Sequence, residues 1–142
     1  MNTIFYHGSN KHLPVGTILM PRGKDYERDY KDTDFYSVLE YYRPNDKLEH
    51  KDSVFMVSNE DDIDLAGGGT EYIFTVKPLG KVSKHDLNWS SEISCLISDG
   101  FDIESDEIKN AAYNYWNGVP HHDENVWEYL VPKAKIINVE EY

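Results

Sequence analysis

Three short stretches of this chain carry residue types suited to chemistry. Glu128 lies in Trp127-Glu128-Tyr129-Leu130-Val131, one carboxylate at the head of an apolar strand. A charge is rarely buried without a partner or a purpose, so Glu128 is the first candidate for a working residue. His7-Gly8-Ser9 follows the aromatic pair Phe5-Tyr6. There a His can donate to a sugar hydroxyl, Gly8 lets a ligand approach the backbone because it has no Cβ, and Ser9 adds a hydroxyl. Phe55, in Ser53-Val54-Phe55-Met56-Val57-Ser58, can present a flat face to an aromatic ligand. Taken singly, His-Gly-Ser reads as an ordinary strand exit and Val54–Val57 as a plain core strand.

Other clusters read as structure. His121-His122-Asp123 lacks further ligands, and adjacent His side chains diverge on a strand, so a solvated loop is expected and no metal. Gly67-Gly68-Gly69 lacks the Lys-Ser/Thr of a phosphate-binding loop and reads as a helix terminus. The run Glu60-Asp61-Asp62-Ile63-Asp64 lacks the spacing of a calcium loop. Tyr113, Tyr115 and Trp116 read as helix packing.

The positioning elements follow from periodicity. Thr3–His7 is expected to be a strand ending at Gly8. Residues 20–32 are highly charged and read as a solvated loop. Phe35, Val38, Leu39 and Tyr42 have helical spacing, with Thr33 or Asp34 as cap and Pro44 as stop. A polar connector, 45–53, leads to a strand at Val54–Val57. Ser58 and Asp61 then resemble a capping box opening a short acidic helix. Alternation predicts a strand over 71–77, a turn at Pro78 and Gly80, and a short strand around Lys81–Ser83. Residues 84–101 give no clear pattern. Ile108, Ala111, Ala112 and Tyr115 predict a helix capped by Ser105 and ended by Asn117-Gly118. Two strands close the chain, at 128–131 and 135–139. Many strands in hairpin-like pairs with few helices indicate an α+β domain on antiparallel sheet.

At 142 residues the chain is expected to be a single domain, 1–142, with aromatics (13%) enough to fill a core and line a cleft. A formal charge of -12 disfavours broad binding to phosphate backbones but leaves room for one nucleotide in a local site. With Cys95 the only cysteine, no internal disulfide can form. The start lacks the pattern of a signal peptide, and no apolar run approaches the roughly 20 residues that span a bilayer. A soluble, cytoplasmic protein is expected.

In order, the three stretches resemble the motifs of the ADP-ribosyltransferase superfamily. Phe5-Tyr6-His7-Gly8-Ser9, with Val15–Leu19 after it, is similar to the first. Val54–Val57, followed by Asp64-Leu65-Ala66, is similar to the second. Trp127–Val131, with the strand at Ile136-Ile137, is similar to the third, which carries the catalytic Glu. The family pattern in the branch of the poly(ADP-ribose) polymerases is His-Tyr-Glu; here it reads His7-Phe55-Glu128, so a hydroxyl is lost. Tyr72–Gly80 also resembles the small rifamycin-modifying ADP-ribosyltransferases, whose acidic residue follows that strand. Asp86 lies near the matching place and is the alternative catalytic acid.

The resemblance implies a split antiparallel sheet with a few short helices and NAD bound as substrate between its halves. It implies that Glu128 stabilises the positive charge that builds on ribose as nicotinamide leaves. At its reference pKa of about 4.3 the carboxylate would be ionised at neutral pH. His7 would bond the adenosine ribose, the Gly8 backbone the nicotinamide carboxamide, and Ser9 the nearer ribose. Phe55 would stack on the leaving ring, with Ser58 beside it in the NAD-binding set. The acceptor would be a protein or small molecule rather than nucleic acid. A non-catalytic NAD-binding protein of the same fold, acting on a partner protein, is the alternative.

Overall fold

The computed structural model describes residues 3–65, 69–121 and 125–141. It is a mixed α/β structure with one antiparallel sheet of seven strands. The strands are β1 (Phe5–Ser9), β2 (Ile18–Leu19), β3 (Val54–Val57), β4 (Tyr72–Leu79), β5 (Ser83–Asp86), β6 (Trp127–Val131) and β7 (Lys133–Glu141). Their order across the sheet is β2-β7-β4-β1-β3-β6-β5. The helices are α1 (Lys24–Tyr30), α2 (Asp34–Tyr41), α3 (Asn88–Ser98) and α4 (Asp106–Trp116).

The sheet has a weak line at its centre. β1 runs beside β4 through five aligned pairs, from Phe5↔Val76 to Ser9↔Tyr72. Against β3 it aligns only at Tyr6↔Val57. Past that pair, His7, Gly8 and Ser9 leave β3, and a seam opens between the two halves.

Side-chain alternation gives each half two faces. Val54 and Met56 of β3 join Phe74, Val76, Val131 and Ile136 in one core. Phe55 points the other way, toward the core that α2, α3 and α4 build with Leu130. Phe55 lies opposite Leu130, and Val57 opposite Glu128, so these four share the helix-covered face. That layer rests on Leu39, Ile93, Ile108, Tyr115 and Trp116, all almost fully buried. Burying each such side chain contributes about 1.5–3 kcal/mol.

Several expected elements are found in place: β3 at its predicted limits, α2 with Thr33 as cap residue, and α4 with Ser105 Oγ accepting from the Ile108 N–H at 3.4 Å. Others differ. Residues 20–32 are not simply a loop: Lys24–Tyr30 is helical, because Tyr26, four residues from Tyr30, turns inward and is buried. β1 does not end at Gly8 but includes Gly8 and Ser9, paired with Ile73 and Tyr72. The turn after β3 is capped by Asn59, whose Oδ1 accepts from the Asp61 N–H at 3.1 Å, rather than by Ser58. β4 runs through Pro78 to Leu79, absorbing an irregularity between Thr75 and Val76. The next strand begins at Ser83, not Lys81, and α3 occupies the stretch that showed no pattern. Of the expected helix end Gly67-Gly68-Gly69, Gly67 and Gly68 fall outside the described residues, as does the pair His122-Asp123. Among the described residues no helix is long and apolar enough to cross a membrane.

Candidate active site

A cavity of about 880 Å³ opens at the seam, and β1, β3 and β6 each send residues into it. His7, Gly8 and Ser9 line it from β1, Phe55, Met56 and Val57 from β3, and Glu128 from β6. The three stretches picked out in the sequence, up to 121 positions apart, therefore meet in one place.

Glu128 is 4% exposed. Its cross-strand neighbours are Val57 on β3 and His85 on β5. His85 cannot serve as a counter-ion, since burial pulls its imidazole down to about 3 and leaves it neutral. His85 Nδ1–H donates to the Tyr115 carbonyl at 2.8 Å, and its Nε2 accepts from the Ser83 hydroxyl at 2.8 Å. No hydrogen bond or ion pair to the Glu128 carboxylate is found among the described residues. Burial pushes the carboxyl up to about 8. The expectation that Glu128 is ionised at neutral pH is thus corrected: with no cation beside it, the group holds its proton near pH 7, because the apolar surroundings penalise the charge.

His7 is held by its ring. Its Nδ1–H donates to the Phe55 carbonyl across the seam at 2.7 Å, and the ring stacks on Phe74 at 6.3 Å. Burial lowers its pKa, more than the bond to Phe55 raises it. The neutral ring then keeps Nε2 as an acceptor, so toward the cavity His7 can accept a hydrogen bond rather than donate one. By strand register His7 shares a face with Phe74, whereas Phe55 and Glu128 occupy the other. The opening between β1 and β3 is what lets both line one cavity.

Gly8 is required by the chain itself. A Cβ there would lie 2.2 Å from the Gly69 carbonyl oxygen and 2.3 Å from Ile63 Cγ2. Ser9 Oγ is engaged in a local turn, donating to the Lys11 carbonyl at 2.8 Å and accepting from the Lys11 N–H at 3.0 Å.

Phe55 is the base of an aromatic stack. Tyr26 lies on it with ring centroids 5.1 Å apart and planes 25° from parallel, and Tyr30 stacks on Tyr26 at 4.5 Å. One face of Phe55 is therefore already covered, and Tyr26 and Tyr30 extend the flat surface into the cavity. Burial, with Glu128 nearby, raises the Tyr26 pKa far above its usual value, so the phenol stays protonated. Beside the stack, with its ring 6.1 Å from Phe55 and 6.2 Å from Tyr26, His50 donates from Nδ1–H to Glu40 at 3.1 Å, and its Nε2 accepts from the Tyr115 hydroxyl at 2.8 Å. Burial tends to raise the Glu40 pKa, but hydrogen bonds from His50 outweigh it and keep the carboxylate ionised.

Two sequence candidates do not line the cavity. Ser58 is half-buried beyond the end of β3. Asp86 is fully buried at the end of β5. Its Oδ1 accepts from the backbone N–H of Asn88 and of Val126, both at 3.1 Å. Its Oδ2 accepts from the His121 N–H at 2.9 Å and the Asn125 amide at 2.7 Å. Burial acts to raise this carboxyl, and the four bonds outweigh it and hold the pKa below the usual range. Such a saturated carboxylate ties the loop before β6 to α3. His121 packs against Trp89 and lies 3.1 Å from Glu92, which fits a loop anchor. Among the described residues no three His, Cys, Asp or Glu side chains gather as a metal site.

Several lining residues escaped sequence reasoning. Tyr26 and Tyr30, at i and i+4, were a readable helical signal hidden by the surrounding charge. Arg22 precedes them. His50, in the expected polar connector, gave no signal, because its burial depends on α2 and α4 closing over it. Tyr115 reads as packing and does pack, but it also lines the cavity. No protein-family model matches this chain, and no curated protein matches it.

Proposed function

We propose that the chain is an NAD-dependent mono-ADP-ribosyltransferase that moves ADP-ribose from NAD to an acceptor and releases nicotinamide. One observation carries this reading: the buried Glu128 carboxyl, without a bonded partner among the described residues, faces the same cavity as His7, Gly8 and Phe55. An ADP-ribosyltransferase-like fold is part of the proposal, and the seam beside β1 is its natural cleft. The nicotinamide of NAD carries a positive charge, and so does the ribose as the glycosidic bond breaks. Either charge beside Glu128 favours the carboxylate and draws its pKa down, which supplies the counter-charge when it is needed. The bond's electron pair leaves with neutral nicotinamide, the acceptor's lone pair closes on C1′, and the acceptor's proton departs.

In this reading His7 Nε2 accepts from a ribose hydroxyl, the Gly8 backbone holds the carboxamide, and the Phe55–Tyr26 stack offers a flat aromatic surface. Holding the ring and ribose in place supplies much of the rate. The acidic surface favours a protein or small-molecule acceptor over nucleic acid, and the lone thiol suits a cytoplasmic setting. The test is nicotinamide release from NAD by the native chain and by Glu128→Gln. Loss of about 10²-fold or more in the variant is expected; equal rates would overturn the role of Glu128.

A second reading, a non-catalytic NAD-binding regulator, is favoured by two observations. Phe55 lacks a hydroxyl, and Tyr26 already covers one of its faces. Calorimetric binding of NAD with no nicotinamide released would establish it.

A further inference from the structure

NAD joins its two nucleosides through a pyrophosphate bearing two negative charges, and a chain of formal charge -12 gives such a group no general attraction. Any pyrophosphate site must be local. Among the described residues that line the cavity, Arg22 is the only Arg or Lys. It lies between β2 and α1, with its guanidinium carbon 6.0 Å from the centre of the Tyr26 ring. It is paired with Asp29, at the far end of α1. That pair uses Nη2 alone; among the described residues neither Nε nor Nη1 has a hydrogen-bond partner.

The arrangement suits a second acceptor. Guanidinium presents its donors in a planar fork that matches phosphate oxygens, and it holds anions through paired bonds that an ammonium cannot reproduce. Asp29 fixes one edge of the fork, and the Tyr26 ring lies near the guanidinium. Both limit the conformational freedom that a half-exposed Arg would otherwise lose on binding. The same residues tie the fork to the nicotinamide end: Tyr26 stacks on Phe55, and burial, with Glu128 adding to it, raises the Tyr26 pKa.

We infer that Arg22 is the pyrophosphate anchor of the cavity, taking diphosphate oxygens on Nε and Nη1 while Asp29 keeps Nη2. This rests on the NAD reading for its biological ligand, but not for its test. Cation and anion are then matched at separate points: Glu128 answers the positive ring, and Arg22 the negative bridge. The assignment also bears on specificity, since a nicotinamide riboside lacking phosphate forgoes one of the two charged contacts.

The experiment measures binding of inorganic pyrophosphate, of NAD and of nicotinamide riboside to the full chain and to Arg22→Gln and Arg22→Lys, by calorimetry with NMR mapping of contacts. Arg22 is exposed enough for both variants to fold, which thermal unfolding checks. Native protein is expected to bind pyrophosphate at residues flanking Arg22. Arg22→Gln should weaken pyrophosphate and NAD about 10- to 100-fold, as for lost hydrogen bonds to a charged group, and leave nicotinamide riboside within about threefold. Arg22→Lys should recover only part of the loss. Native protein that ignores pyrophosphate, or an Arg22→Gln protein that binds it as well as native, overturns the anchor. If pyrophosphate binds through Arg22 but NAD does not bind at all, the anion site stands and the NAD reading falls.

Discussion

Replacing Glu128 by Gln should stabilise the protein, and by an amount that grows with pH. The carboxyl is 4% exposed, and burial raises its pKa from the ordinary 4.5 to about 8. Between those values the folded chain binds a proton that the unfolded chain has released, so native stability falls as pH rises from about 4.5 to 8 and levels off above. At 1.36 kcal/mol per pH unit, the full penalty is about 5 kcal/mol. That rivals the whole stability of a small domain, about 5–15 kcal/mol. Gln has the same size and never ionises, so any cost of burying its carboxamide is the same at every pH. The gap in unfolding free energy between Glu128→Gln and native should therefore widen by about 4 kcal/mol between pH 5 and pH 9. His7 and His85, both held neutral by burial, must gain protons on unfolding in acid. They do so in both proteins and cancel in the difference. Urea unfolding at pH 5, 7 and 9 measures it, with unchanged m-values confirming a common unfolded state. A gap constant to within about 1 kcal/mol across that range would refute the buried, proton-holding Glu128.

The same carboxyl predicts a proton count. On the NAD reading, binding at pH 7 should release about 0.9 proton as the cationic ring draws the carboxylate out, and almost none at pH 9. Calorimetry in buffers of different ionisation enthalpy reads this directly, and Glu128→Gln should release none. Asp86→Asn should cost about 2–4 kcal/mol in stability, because an amide NH2 would face backbone and side-chain donors where a charged oxygen now accepts. With its folded pKa below the ordinary value, the Asp86 contribution is present above about pH 4 and fades as pH falls through the lowered pKa. Turnover per folded molecule should hold in Asp86→Asn; a selective loss of turnover with stability intact would make Asp86 the acid. Gly8→Ala should destabilise by about 1–3 kcal/mol, since its methyl would press on the Gly69 carbonyl and Ile63. An unchanged melting temperature would contradict that close approach.

Much of this architecture could be read from local pattern, and what could not depends on contacts between distant segments. β3, α2 and α4 announce themselves because each buries a regular stripe, Val38 and Leu39 on α2 or Ile108, Ala111 and Ala112 on α4. α3 did not, because Ser90, Ser91 and Ser94 on its cavity-lining face dilute the apolar signal carried by Trp89 and Ile93. Glu128, His7 and Phe55 stood out as candidates by type and neighbours, and the register of β1, β3 and β6 brings them to one cavity. The protonation of Glu128 was not legible, because it depends on the neutrality of His85 across the strand pair and on the absence of a donor among the described residues nearby. Asp86 stood in the sequence as the alternative acid; only the four donors that converge on it reveal a saturated carboxylate.

If the chain is read as an ADP-ribosyltransferase, a hydroxyl is missing at position 55, and tertiary packing changes the weight of that loss. Phe in place of Tyr removes a phenol from β3. α1, from the stretch whose charge suggested a loop, brings Tyr26 onto the Phe55 ring at 5.1 Å. Its phenol lies close enough to Glu128 for that carboxylate to add to the effect of burial on its pKa. The cavity therefore keeps a phenol within the electrostatic reach of Glu128, supplied by a different element. Tyr26 stays protonated across the physiological range, so it places no second negative charge near Glu128 when that carboxyl ionises. Position 55 alone therefore says little about whether the cavity can stabilise charge. That capacity depends on α1 remaining seated against β3, with Arg22 and Asp29 paired across its two ends.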